Sequence, residues 1–133
     1  MELEIGAKSS IEFKVEDKDL AKNLQISPED NFPEVFATAR MVALMECSAA
    51  KILIPFLEEG QLSVGVEVNI KHLAPTLSGD TAISTATFEG MEGKLYIFVG
   101  DDDYLVNFSF WENRNQGFKR IEILPAKVVS LAI

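Results

Sequence analysis

The sequence predicts an α+β domain in which one long helix is wrapped by a curved antiparallel sheet of about five to six strands. Three observations lead there. A stretch from about Val35 to Leu57 contains no glycine and carries helical periodicity. After Gly60 the chain breaks into short segments rich in β-branched and aromatic residues. The helix is apolar round most of its circumference, so only a sheet that curls about it can cover it.

The elements follow in chain order. IEFKVE at 11–16 alternates apolar and polar side chains, as a half-exposed strand does. In SPED at 27–30, Ser27 can cap and Pro28 can start a short helical turn. Pro33 disfavours a helical conformation at Phe32, so the long helix begins after it, and Gly60 ends it. Five strand-like segments come next: SVGVEVNIKHL (63–73), DTAISTATFEG (80–90), KLYIFVG (94–100), YLVNFSFWE (104–112) and FKRIEIL (118–124). Gly90, Gly93, Gly100 and Gly117 punctuate them as turn residues. Such short links suit antiparallel hairpins, and the expectation is a meander within one domain spanning 1–133.

Composition narrows the function. Among 133 residues, 12 basic against 21 acidic side chains give a net charge of −9, which opposes binding to nucleic acid or to an anionic membrane surface. No window approaches the roughly 18 apolar residues of a membrane span, and MELEIGAKSS lacks the pattern of a secretory leader, so a soluble, cytoplasmic protein is expected. The single cysteine, Cys47, excludes an intrachain disulfide and a multi-cysteine metal site; it reads as a small buried apolar residue. The run Asp101 to Asp103 beside Gly100 reads as a solvated hairpin tip rather than a calcium site, and no metal is expected.

Two polar residues point the wrong way. A helix advances about 100° per residue; with Arg40 at zero, Lys51 and Glu58 fall near 20° and 0°, while Met41, Val42, Met45, Ala49, Ile52 and Leu53 fall between roughly 100° and 220°. Glu46 falls near 240°, on the margin of the apolar face, where an unpaired carboxylate costs several kcal/mol if buried. It is either an exposed glutamate on a wide polar face or a functional one. In SVGVEVNIKHL the even positions Val64, Val66, Val68 and Ile70 share a face with His72, the only histidine. His72 is either a hydrogen-bonded core residue or, with Glu46, half of an acid/base pair in an apolar cleft. Thr38 can cap the helix, or serve a site. In one regular helix Thr38 and Glu46 would stand about 12 Å apart along the axis, so a site using both needs a fold-back or a second subunit.

FPEVFATARMVALME (32–46), joined to SVGVEVNIKHLAPTLSGDT (63–81), resembles the hot-dog-fold thioesterases, most closely the fluoroacetyl-CoA thioesterase branch. The resemblance rests on a Thr ending FAT, a Glu eight residues later and a His twenty-six beyond in VGxxVNxxH. It implies hydrolysis of a short- or medium-chain acyl-CoA, with coenzyme A part of the substrate and no further cofactor. It also implies a catalytic set of Thr38, Glu46 and His72 at the interface of a homodimer, with a tetramer possible. Gly65 matches the glycine where the family backbone approaches the thioester or CoA arm. Phe32 matches an aromatic that covers the acyl pocket, although it could equally staple the helix entry. Phe32, Phe36, Met41 and Met45 suggest by their bulk a restricted apolar pocket, hence the short or medium acyl chain.

The carboxyl third departs from the pattern. Relatives end a short segment in Gly-x-His-x-Arg; here Arg120 takes the arginine position and Phe118 stands at the histidine. FATAR also puts a cation, Arg40, where relatives carry an uncharged residue. Arg40, Lys71, Lys119 and Arg120 are the candidate partners for CoA phosphates. Two rival readings share the fold: a non-catalytic acyl-CoA binder or sensor, and a 3-hydroxyacyl-thioester dehydratase, in which Thr38 has no obvious task.

Overall fold

The structure, a computed structural model, describes residues 2–70, 72, 75–99, 109–113, 118–122 and 127–133, with side-chain surroundings for all of these except 99, 109–113 and 118–122. One helix, α1 (Thr38–Leu53), packs against a five-stranded antiparallel sheet built from β1 (Lys8–Lys14), β2 (Ser63–Asn69), β3 (Thr81–Glu92), β4 (Leu95–Val99) and β7 (Lys127–Ala132). The sheet order is β1-β3-β4-β7-β2. β5 (Ser109–Asn113) and β6 (Phe118–Glu122) form a separate hairpin.

The order is not the expected meander. Only β3–β4 and β5–β6 are sequential pairs; β2 joins the sheet at the far edge through β7, and β1 closes the other edge on β3. The helix between β1 and β2 is what separates these two strands, because the chain must cross the sheet's concave face before re-entering it. β7 was not expected as a strand, since AKVVSLAI shows little alternation between apolar and polar residues. Buried on both faces at Val128 and Val129, it sits inside the sheet rather than at its margin.

The core lies between α1 and the sheet. Met41, Leu44, Met45, Ala49, Ile52 and Leu53 face Val15, Ala82, Ala86, Phe88, Phe98 and Val128. Phe88 packs tilted against Phe98, ring centres 5.6 Å apart. Within this core Ser48 is fully buried; its hydroxyl meets the Met45 carbonyl and the buried Ser84 hydroxyl, each at 2.9 Å. The β3–β4 hairpin turns at Gly93, whose φ of 61° suits a glycine at the first position of a tight two-residue loop.

The expected helix is shorter at both ends. Phe36 pairs with Leu20 in an isolated antiparallel bridge and its N–H donates to the Thr76 carbonyl, so Phe36 and Ala37 are extended, Val35 lies in a bend, and α1 starts at Thr38. Pro55 converts the last turn to a 3₁₀ turn at Ile54–Phe56. SPED forms a turn, not a helix, closed by the Asp30 N–H on the Ser27 carbonyl. Before it come two unanticipated 3₁₀ turns, Asp17–Asp19 and Ala21–Asn23. Cys47, expected inside, is exposed. Gly100, Asp101 to Asp103 and Gly117 lie outside the described residues. Among the described residues no helix is long and apolar enough to cross a membrane, and no cluster of acids, histidine or cysteine could hold a metal.

Candidate functional site

Thr38 and His72 meet. The Thr38 Oγ1 lies 2.9 Å from His72 Nδ1, an ordinary hydrogen-bond length. Thr38 opens α1 as its first helical residue, with Ala37 rather than Thr38 in the capping position. Its hydroxyl is therefore not consumed as a cap. His72 lies just beyond β2, whose ladder stops at Asn69, so the imidazole is carried by the strand's exit and not by the strand. It is half-buried.

The expected buried row along β2 is broken. A bulge between Gly65 and Glu67 shifts the pairing with β7 by one residue, and a one-residue shift turns side chains over to the other face. Val64 and Val66 are accordingly 40% and 50% exposed, whereas Val68 and Ile70 pack against the core.

Phe36 fixes the surroundings of the pair. It is 2% exposed, stacks on Phe13 and presents its ring to His72 at 79°, centres 6.4 Å apart. Ala21, Pro33, Val35, Phe36, Thr38, His72 and Pro75 line one open cleft of about 300 Å³. A hydroxyl bonded to an imidazole nitrogen, exposed to a small apolar cleft, is suited to activating an oxygen nucleophile or a water.

Glu46 does not join them within one chain. It lies two turns farther along α1, half-buried, in a second cleft lined by Ala43, Glu46, Cys47, Ala50, Ser63, Gly65 and Ser130. Its carboxylate rests against the backbone of Gly65. A Cβ placed on Gly65 would collide with Glu46 Oε1 and stand 2.8 Å from Cδ. Gly65 is thus required for a contact with a protein carboxylate, whatever it does for a ligand.

The remaining candidates are spread out. Phe32 is 45% exposed and does not line the Thr38–His72 cleft; the aromatic that meets His72 is Phe36, four residues on. Met41 and Met45 are core residues at 1% and 0% exposure. Arg40 donates its Nε–H to Asp19 Oδ1 at 3.0 Å, and Asp19 is fully buried. Arg120 falls on β6 opposite Trp111, its side chain outside the described residues, as are Lys71 and the side chain of Lys119. Asp19 was missed because VEDKDLAKN shows no apolar period and reads as a solvated loop; the one signal was the unusual cation at Arg40. A larger cavity, about 450 Å³, lies near Phe56 beyond the other end of α1. Leu3, Ile5, Phe88 and Met91 line it with Glu2 and Tyr96, which offer no hydroxyl–imidazole pair.

Comparison with known proteins gives a consistent picture. The family model for fluoroacetyl-CoA-specific thioesterase matches residues 15–101. The fluoroacetyl-CoA thioesterase of Streptantibioticus cattleyicolor is 44% identical over 69 residues, 51% of this chain and 50% of the relative. The match thus spans about half the length of that curated relative. A solved fluoroacetyl-CoA thioesterase, studied for its activity and substrate specificity, superposes with a TM-score of 0.77 at 26% identity, over 100% of this chain and 90% of that one. A Thermus thermophilus hypothetical protein, a thioesterase superfamily member, shares the fold with a TM-score of 0.75 at 23% identity, over 99% and 85% of the two chains.

Proposed function

Because the chain belongs to the fluoroacetyl-CoA-specific thioesterase family, we propose that it hydrolyses a short- or medium-chain acyl-CoA to the free acid and CoA. The observation that carries this reading is the 2.9 Å contact between Thr38 Oγ1 and His72 Nδ1.

With Nδ1 unprotonated, His72 accepts the Thr38 proton, so that Thr38, or a water held by it, attacks the thioester carbonyl. The developing oxyanion needs donors, and the first-turn N–H groups of α1 lack intrahelical partners and sit at the positive end of the helix dipole. His72 then returns the proton to the CoA thiolate; where Thr38 itself has attacked, a water deprotonated by His72 hydrolyses the acyl-Thr38 ester, the acid leaves and His72 returns that proton to the Thr38 oxygen. The edge of Phe36 limits imidazole rotation. Coenzyme A enters as part of the substrate, with no further cofactor.

Glu46 completes the site from the other subunit of a homodimer, in this reading. Its separation from Thr38 along one helix supports that arrangement, as does the edge strand β2 with Leu62, Val64 and Val66 exposed at 69%, 40% and 50%. An edge of this kind calls for pairing. A reducing cytoplasm suits the exposed Cys47.

Two assays test the proposal. Release of CoA thiol from acetyl-, butyryl-, hexanoyl- and benzoyl-CoA should be abolished by His72→Ala or Glu46→Gln and lowered about 100-fold, to a measurable residue, by Thr38→Ala. No turnover on any of them, with CoA bound tightly, would instead make the protein an acyl-CoA binder. Mixing inactive His72→Ala and Glu46→Gln subunits should restore about one quarter of wild-type activity, since half the dimers are mixed and each holds one intact site. Zero recovery, with subunit exchange verified, would place all three residues in one chain's site.

A further inference from the structure

The 3₁₀ turn at Asp17–Asp19 has no role in the thioester hydrolysis proposed above, yet it holds the start of α1 that carries Thr38. On the Thr38 side, one residue makes two tethers. The Asp19 carbonyl accepts the Ala37 N–H at 2.9 Å, and Asp19 Oδ1 accepts the Arg40 Nε–H at 3.0 Å. Ala37 and Arg40 bracket Thr38 in the chain. The turn is itself anchored: Ser78 donates its hydroxyl to Asp17 Oδ1 at 2.7 Å, and the Gly79 and Val15 N–H groups reach the Val15 and Asp80 carbonyls at 2.8 and 2.9 Å.

Asp19 is fully buried, with its second oxygen taken by the Glu16 N–H at 2.9 Å. A carboxylate in that setting requires its cation, so Arg40 is held. Two residues along a helix is about 200° around its axis, which puts the Arg40 tether roughly opposite Thr38. Ala37 and Arg40, three residues apart, lie within about 60° of each other, so Asp19 grips the first turn twice on one side and resists its rolling. Roll is the motion that would swing the Thr38 hydroxyl off Nδ1, and a misplacement of about 1 Å at a reacting group can cost about 100-fold in rate.

We propose that Asp19 and Arg40 are a positioning pair that holds the Thr38 hydroxyl in register with His72 for the thioester reaction. The proposal rests on the thioesterase reading for its kinetic consequence, but not for its structural one. It also takes Arg40 away from the CoA phosphates.

The test compares Arg40→Met in the wild-type and Thr38→Ala backgrounds, reading kcat and KM on the best acyl-CoA of the panel above. His72 is the sole histidine, so its imidazole ¹⁵N resonances need no assignment and report the Thr38 contact directly. Arg40→Met is expected to lower kcat about tenfold or more with KM within twofold, to cost nothing further in the Thr38→Ala background, and to move the His72 Nδ1 shift toward that of Thr38→Ala. Arg40→Lys, which keeps Asp19 paired with a cation, should recover part of the loss. Equal losses in both backgrounds would reduce the pair to general stability, and a raised KM at unchanged kcat would make Arg40 a substrate ligand; either overturns the proposal. Should Arg40→Met not fold, Arg40→Lys carries the same readouts with a smaller expected loss. If the wild type turns over no acyl-CoA, the thioesterase reading fails by itself. The resonances then decide: a Nδ1 shift moved by Thr38→Ala but not by Arg40→Met refutes the positioning pair.

Discussion

Gly65→Ala separates the placement of Glu46 from the stability of the fold. The added methyl would occupy the space of Glu46 Oε1 and stand 2.8 Å from Cδ and 3.5 Å from Cγ, so the carboxylate must leave. What gives way is the end of a flexible side chain, and a rotamer displaced by tens of degrees costs roughly 0.5–1.5 kcal/mol. Against that, alanine is favoured over glycine within a strand by roughly 0.5–1 kcal/mol. The two terms nearly cancel, and denaturant unfolding should show a stability within about 1 kcal/mol of wild type. Catalysis has no such compensation. A carboxylate moved by an ångström or more should lower kcat/KM about 100-fold, or about 2.7 kcal/mol of transition-state stabilisation. The assay is release of CoA thiol, with CoA binding to the same variant measured alongside to detect any direct clash between the methyl and the substrate. Wild-type turnover in Gly65→Ala would refute the reasoning, because it would show that Glu46 can leave this position without consequence. A stability loss of several kcal/mol would refute it differently, by showing that backbone rather than carboxylate had to move.

Three further outcomes are expected. Ser48→Ala leaves the buried Ser84 hydroxyl without its partner and should cost about 1–3 kcal/mol in urea unfolding, whereas Ser48→Ala with Ser84→Ala should cost less than the sum of the two single changes; additive losses would deny the pair. Phe36→Ala empties a buried site between Phe13 and His72 and should destabilise by about 3–5 kcal/mol, read by thermal or urea unfolding, while a loss under 1 kcal/mol would mean the ring is not packed as described. Asp30 is held below the ordinary aspartate value by the N–H groups of Ser27 and Ile26, so the ordering of this turn is fully present above that ordinary value and fades as pH falls through the lowered one. The Ile26 and Ser27 amide shifts, followed by NMR during acidification, should titrate below the ordinary aspartate range; titration at or above it would contradict the two hydrogen bonds.

Periodicity carried most of the α/β division, and it failed where long-range pairing overrode local pattern. The 3.6-residue period over 35–57 located α1 because burial of one helical face is a local, repeating property. Its first three residues were misassigned because Phe36 is drawn into an extended bridge with Leu20, a partner sixteen residues away that no window contains. Strict alternation along β2 was broken by a bulge between Gly65 and Glu67, whose one signal, the glycine inside the strand, was read only as room for a ligand. Strand order was illegible for the same reason: β2 sits at the edge because β7 pairs with it, and β7 lies some sixty residues downstream.

The candidate site divided along the same line. Residue type and spacing singled out Thr38, Glu46 and His72, but not that Thr38 reaches His72 within one chain while Glu46 faces Gly65 in another cleft. Asp19 left no trace of its own in VEDKDLAKN. What did leave a trace was Arg40, a cation at a helix start, where the helix dipole disfavours positive charge. A charge in that position needs either a ligand or a buried counter-charge, and the sequence alone cannot choose between them. The fully buried carboxylate 3.0 Å from Arg40 Nε supplies the second, which turns an unfavourably placed cation into a statement about how this chain holds its Thr38.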